Sequence, residues 1–137
     1  MNSSGTSATV LTFSSSNQNV TCAGNFSSNS DRALKDNETP ITAAEAWGIL
    51  DTVEAKKYTR NETGEHRHGF IAQDLEAACT GNFAHIVGSI PAVDNEGEEI
   101  DGAAAIKTVS YDRLIALLWT TVRDLRSRVQ ELENAQR

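Results

Sequence analysis

Ser30 and Lys35 stand five residues apart in the stretch SNSDRALKDN, residues 28–37. A serine hydroxyl is a weak nucleophile until a neighbouring base takes its proton, and a lysine can be that base when burial or nearby cations leave it neutral. Such a pair could cut the bond between Asn29 and Ser30. Ser30 would attack the Asn29 carbonyl, the chain would pass onto its oxygen as an ester, and water would hydrolyse the ester. On a regular helix, residues five apart lie roughly 140° apart around the axis and do not face each other. Either the stretch is a turn, or Lys35 acts on Ser30 of an adjacent chain. The spacing by itself is unspecific, and the plain alternative is a polar linker in which Ser30 caps a turn. Asn29 offers a competing route to the same break, through cyclisation of its own amide.

Other reactive side chains are less organised. His66 and His68 fall on one face of an expected strand and, with His85, could suggest a metal site, but histidines two apart beside Arg67 on a hairpin are more often surface residues. The run DNEGEEID lacks the alternating ligands and closing Glu of an EF-hand. Cys22 and Cys79 match no metal spacing and read as free thiols. Asn19, Asn25, Asn37 and Asn61 open Asn-x-Ser/Thr triplets that carry little weight in so Ser/Thr/Asn-rich a chain. No glycine loop suited to phosphate is present, and no metal or other cofactor is expected.

The elements that would position Ser30 and Lys35 lie on either side of a break in composition. From Met1 to Asn29 there is no Asp, Glu, Lys or Arg; from Asp31 onward charges are frequent. Before the break, ATVLTF (8–13) and NVTCA (19–23) are β-prone runs joined by SSSNQ, predicting a hairpin or two short strands. Strands so polar cannot build a core alone, so this piece reads as the end of another fold that pairs with other chains. After the break, Thr42 with Glu45 predicts a capping box opening a helix over 43–51, with Ala46, Ile49, Leu50 and Val53 as its apolar stripe. Strand, turn and strand follow around Gly64, then a short helix in QDLEAACTG ended by Gly81, then short strands about an acidic turn. Trp47 and Trp119 read as core or interchain packing.

Ser110 reads as the N-cap of a helix running to Arg137 without Gly or Pro. Ile115, Val122 and Val129 at heptad position a place Leu118, Leu125 and Leu132 at d, over about three heptads. Arg128 at g can reach Glu133 at the following e of a neighbouring chain. Leu114, Leu117 and Trp119 widen the apolar face near the start, as packing against the chain's own domain requires. Both uses can hold together. A β-branched residue at a with Leu at d favours two strands in isolated parallel coils.

Bulk properties narrow the function classes. The 137 residues carry a formal charge of −7, with 39% hydrophobic and 6% aromatic residues. The core is therefore limited and help from oligomerisation fits. Without a basic stripe, nucleic acid is a poor partner. No apolar run approaches the ~18 residues of a membrane span, and no secretory leader is evident, so no membrane partner is expected.

SDRALK followed by a short helix, HGFIAQDLE, and VSYDRLIALLWTTVRDLRSRVQELE, in that order, resemble the endosialidase-type C-terminal intramolecular chaperone domain of bacteriophage tailspikes and tail fibres. The resemblance spans about residues 30–134. It implies an α+β fold of short helices and β-hairpins whose long C-terminal helix forms a homotrimeric, coiled-coil-like bundle, against the two strands of the heptad pattern alone. It implies a chaperone that helps its own fibrous passenger trimerise and fold, then severs itself by serine autoproteolysis. Ser30 then matches the nucleophile, Asp31 its motif neighbour and Lys35 the basic partner, with the scissile bond at Asn29-Ser30. One departure is visible: Ala33 stands where the family motif usually carries Arg, and Arg32 precedes it, which puts that Arg's contact in doubt.

The expected organisation is fibre end over 1–29, chaperone body over 30–109 and oligomerisation helix over 110–137. In the trimer, Val10, Leu11, Phe13, Val20 and Phe26 would bury around a shared axis. The implied location is the host cytoplasm during phage assembly, the passenger ending in the virion tail. The rival readings are a non-cleaving trimerisation or adhesion tip and, weakest, a hydrolase acting on other molecules.

Overall fold

The computed structural model describes residues 11–13, 20–94 and 96–137, and the chain forms two compact units, Met1–Glu38 and Thr39–Arg137. Expected strand residues 8–10 and 19, the linker 14–18, and Asn95 of the acidic turn lie outside the described residues, as does the side chain of Phe13.

In the first unit, strand β1 (Leu11–Phe13) pairs antiparallel with β2 (Val20–Cys22), Thr12 opposite Thr21. No described residue of this unit is buried, and Phe26 is 89% exposed. That agrees with the composition: a polar, uncharged hairpin supplies too few apolar side chains to close a core.

The first element of the second unit is helix α1 (Ala43–Leu50), capped by Thr42. The predicted capping box is complete: Thr42 N donates to Glu45 Oε2 at 2.8 Å, and Glu45 N donates to Thr42 Oγ1 at 3.2 Å. Two of the four orphan N–H donors at the helix start are thereby paired. The Thr42 backbone N–H, then its hydroxyl, hold the Glu45 carboxyl below its ordinary range. A carboxyl with a lowered folded-state pKa stabilises above its unfolded value, and that contribution is lost as pH falls through the lowered one.

Strands β3 (Lys56–Thr59) and β4 (His66–Gly69) form the expected hairpin, reversed at Gly64, whose φ of +71° glycine adopts without strain. Helix α2 (Ala72–Ala78) follows and stops before Gly81, which has a φ of +58°. A 3-10 segment over Gly81–Ile86, unforeseen from sequence, then leads into β5 (Val87–Ile90). β5 pairs with β6 (Ile106–Val109), and a bridge between Val93 and Glu99 extends this hairpin toward its acidic turn. The fold is α+β: short helices and separate two-stranded antiparallel sheets, closed by the long helix α3 (Tyr111–Ala135).

Ser110 occupies the N-cap position of α3, but its side chain makes no capping bond. The helix start is tied down instead by Tyr111, whose hydroxyl accepts from Phe70 N at 3.2 Å. That hydroxyl lies so near Gly69 that a Cβ there would collide with it.

Ala46, Ile49, Leu75, Cys79, Ile86, Leu114 and Leu117 make the core, so α1, α2 and α3 each contribute one face. Burial pushes the Cys79 thiol up, away from the reactive thiolate form, whereas Cys22, in the first unit, is exposed. With so few core residues, each counts. Leu117→Ala, at a site 1% exposed, should cost about 2–5 kcal/mol, read as a lowered urea midpoint at fixed protein concentration.

Candidate active site

The Ser30–Lys35 stretch is a turn. Asp31 sits in extended backbone (φ −65°, ψ 141°), and its Oδ1 accepts from Ala33 N at 2.8 Å. A single 3-10 turn over Arg32–Leu34 follows, with Leu34 N donating to Asp31 O and Lys35 N to Arg32 O. The local cause is the aspartate, since Asp readily accepts from a backbone N–H two residues on and so starts a turn. The backbone then leaves the turn extended at Lys35 (φ −133°, ψ 140°). The long side chain reaches back, and Lys35 Nζ lies 2.6 Å from Ser30 Oγ and 3.1 Å from Ser30 O. The helical objection to a five-residue spacing therefore does not apply here, and the two groups meet within one chain.

Around them the turn is pinned in ways the sequence did not reveal. Arg32 Nε pairs with Glu38 Oε1 at 2.8 Å, spanning the loop that carries Lys35. Asn37, with a φ of +53°, supplies the left-handed residue that lets the chain double back. Asn in the run KDNE was the available signal, because Asn tolerates that region better than most side chains. So Arg32, standing beside the usual motif position, has a charge contact of its own.

Chemically, a charged Lys35 donates to Ser30 Oγ; in neutral form the same 2.6 Å line carries the serine proton to Nζ. Asp31 is engaged with the Ala33 N–H, so its carboxylate shapes the turn. Ser30, Asp31 and Lys35 are all exposed, as is Asn29. Asp31→Ala should loosen the turn and slow any reaction at Ser30 by roughly fivefold, the effect of losing a cap worth about 1 kcal/mol, measured as the rate of chain cleavage. Asp31→Asn, which keeps the acceptor, should restore most of it.

The heptad residues are the second candidate. Ile115, Leu118, Val122, Leu125, Val129 and Leu132 are all exposed in the single chain, from 46% at Leu125 to 65% at Leu132. The chain's own domain takes the neighbouring face of α3 instead, burying Leu114, Leu117 and Thr121. Trp47 Nε1 donates to Asp124 Oδ2 at 2.7 Å on that same face. Arg128 pairs with Asp124 at 2.8 Å and lies over the Trp47 ring, 5.6 Å from its centroid. Its partners within the chain are thus Asp124 and the Trp47 ring. Trp119, by contrast, is 69% exposed.

The remaining expectations are placed as follows. His66 and His68 share the exposed face of β4, opposite Thr59 and Lys57, and His66 Nδ1 is 3.0 Å from Thr59 Oγ1. His85 is on the 3-10 segment, its carbonyl accepting from Arg113. Among the described residues, no three His, Cys, Asp or Glu side chains gather as for a metal. No helix among them is long and apolar enough to cross a membrane.

Residues 30–87 match the model of a peptidase family described as chaperone of endosialidase. No curated protein matches the chain.

Proposed function

We propose, from the premise that residues 30–87 are an endosialidase-type chaperone domain of the peptidase class, that this chain is an intramolecular chaperone of a phage tailspike or tail fibre. It assembles as a homotrimer, promotes folding of the passenger joined to its N-terminal side, and releases itself by cutting Asn29-Ser30. The observation that carries the cleavage is the 2.6 Å approach of Lys35 Nζ to Ser30 Oγ, directly beside the bond to be cut.

In the proposed reaction, neutral Lys35 takes the Ser30 hydroxyl proton as Oγ bonds to the Asn29 carbonyl carbon. The bond from that carbon to Ser30 N then breaks, and Lys35 returns the proton to the departing amine. This leaves an Asn29 ester on Ser30 Oγ. Water adds to the ester with Lys35 as base, Oγ leaves with a proton, and the products are an Asn29 carboxylate and a chain beginning with the Ser30 amine. Burial favours a neutral lysine, and the turn is exposed in a single chain. Trimer assembly that covers the turn would therefore switch the base on, and cleavage would follow assembly. Folding and release would take place in the host cytoplasm, with the passenger passing to the virion tail.

Mass spectrometry of the expressed chain tests this reading. Fragments ending at Asn29 and beginning at Ser30 are the expected products. An intact chain that nonetheless forms trimers would mean a permanent trimerisation tip instead.

A further inference from the structure

The face that α3 gives to its own domain dictates how a second copy must meet it. In the heptad frame of the exposed stripe, Leu114, Thr121 and Arg128 are g residues, while Leu117 and Asp124 are c residues on the same side of the helix. These are the positions turned to the chain's own body. The opposite flank, position e, holds Trp119, Arg126 and Glu133. In parallel coils a g residue faces the e residue five positions on in the neighbouring helix. Three copies related by a closed rotation axis have parallel helices, so each copy's Trp119 meets the next copy at the level of Leu114.

At that level an apolar cleft of about 240 Å³ opens between α1 and α3. Its walls include Leu50, Val53, Phe70, Leu114, Leu117 and the d residue Leu118, so it adjoins the a/d stripe directly. Its lining is almost entirely hydrocarbon, matching an indole in chemistry. The same register sets Arg128 of one copy opposite Glu133 of the next. Arg128 meets Asp124 through Nε, and a guanidinium has further donors that suit a second carboxylate. An apolar fit at the first heptad and a charge fit at the third thus follow from one register.

We infer that Trp119 of each copy inserts into the cleft between α1 and α3 of the next copy. The joint is heterologous, tryptophan into cleft, and closes as a ring of three. It ties each neighbour to the folded body as well as to the helix, which two-stranded packing through a and d alone would not do. It rests on the proposed trimer, and its own failure is separable from that one.

The chain has two tryptophans, so Trp47→Phe leaves Trp119 as the sole indole. Its emission and acrylamide quenching are followed over a dilution series alongside light scattering. On assembly, the emission should shift to the blue and the quenching should fall. In the otherwise unaltered chain, Trp119→Ala should raise the concentration for half-assembly about tenfold or more, as loss of a buried aromatic anchor does, without altering the monomer's far-UV spectrum. A trimer whose Trp119 stays water-quenched, or a Trp119→Ala chain that assembles like the wild type, overturns the docking while leaving the trimer standing. A chain that is monomeric at every concentration overturns both.

Discussion

Ser30→Ala leaves the chain whole under conditions in which the wild type divides into residues 1–29 and 30–137. The substitution removes Oγ, the atom proposed to attack, from an exposed position outside the core, so it removes chemistry without a folding cost. Lys35→Ala should slow cleavage by about 10²–10⁴, the usual contribution of a positioned general base. Lys35→Arg keeps the charge and length but cannot give up its proton near neutral pH, and should be as slow. These outcomes are read by mass spectrometry over time. If Ser30→Ala still breaks at the same bond, the nucleophile is not Ser30; loss of that cleavage in Asn29→Ala would then identify cyclisation of the Asn29 amide.

Leu125→Asp should abolish assembly and leave the monomer folded. Leu125 is 46% exposed in the single chain and is not one of the seven core residues, so its loss costs the domain little. At a d position in a helical bundle, the carboxylate would be desolvated against apolar neighbours with no partner, a penalty of several kcal/mol per chain. Light scattering should show a monomer and circular dichroism a retained helix. The contrast with Leu117→Ala is the sharper test, because that substitution should weaken the fold before it weakens assembly. If assembly switches on the base, Leu125→Asp should also slow cleavage although it lies far along the chain from Ser30.

Much of the fold was legible locally. The Thr42–Glu45 capping box and the Gly64 reversal each follow from short-range rules: a side chain reaching its own helix start, or a glycine at positive φ; the helix expected to end at Gly81 stops earlier, at Ala78. Ser110 shows the limit of such rules. It stands at the N-cap position, yet Tyr111, through its contact with Phe70, is what fastens the helix start. That contact joins residues 41 apart in the chain, and no local pattern contains it. Similarly, the pairing of Ser30 with Lys35 depended on the reach of one flexible side chain from a 3-10 turn, which spacing alone could not distinguish from a helix or from a contact between chains.

By itself, the sequence determined where charge begins, which bond stands beside a serine with a lysine in reach, and that α3 repeats apolar residues every seven positions. Periodicity records which residues share a face, because helical geometry is set by the backbone. It does not record what covers that face. Tertiary structure decided that Leu114, Leu117 and Thr121 go to the chain's own core while the a and d residues and Trp119 stay in water. The physical reason is that α1 and the 3-10 segment close over only one side of α3, and the opposite side is left exposed in the single chain.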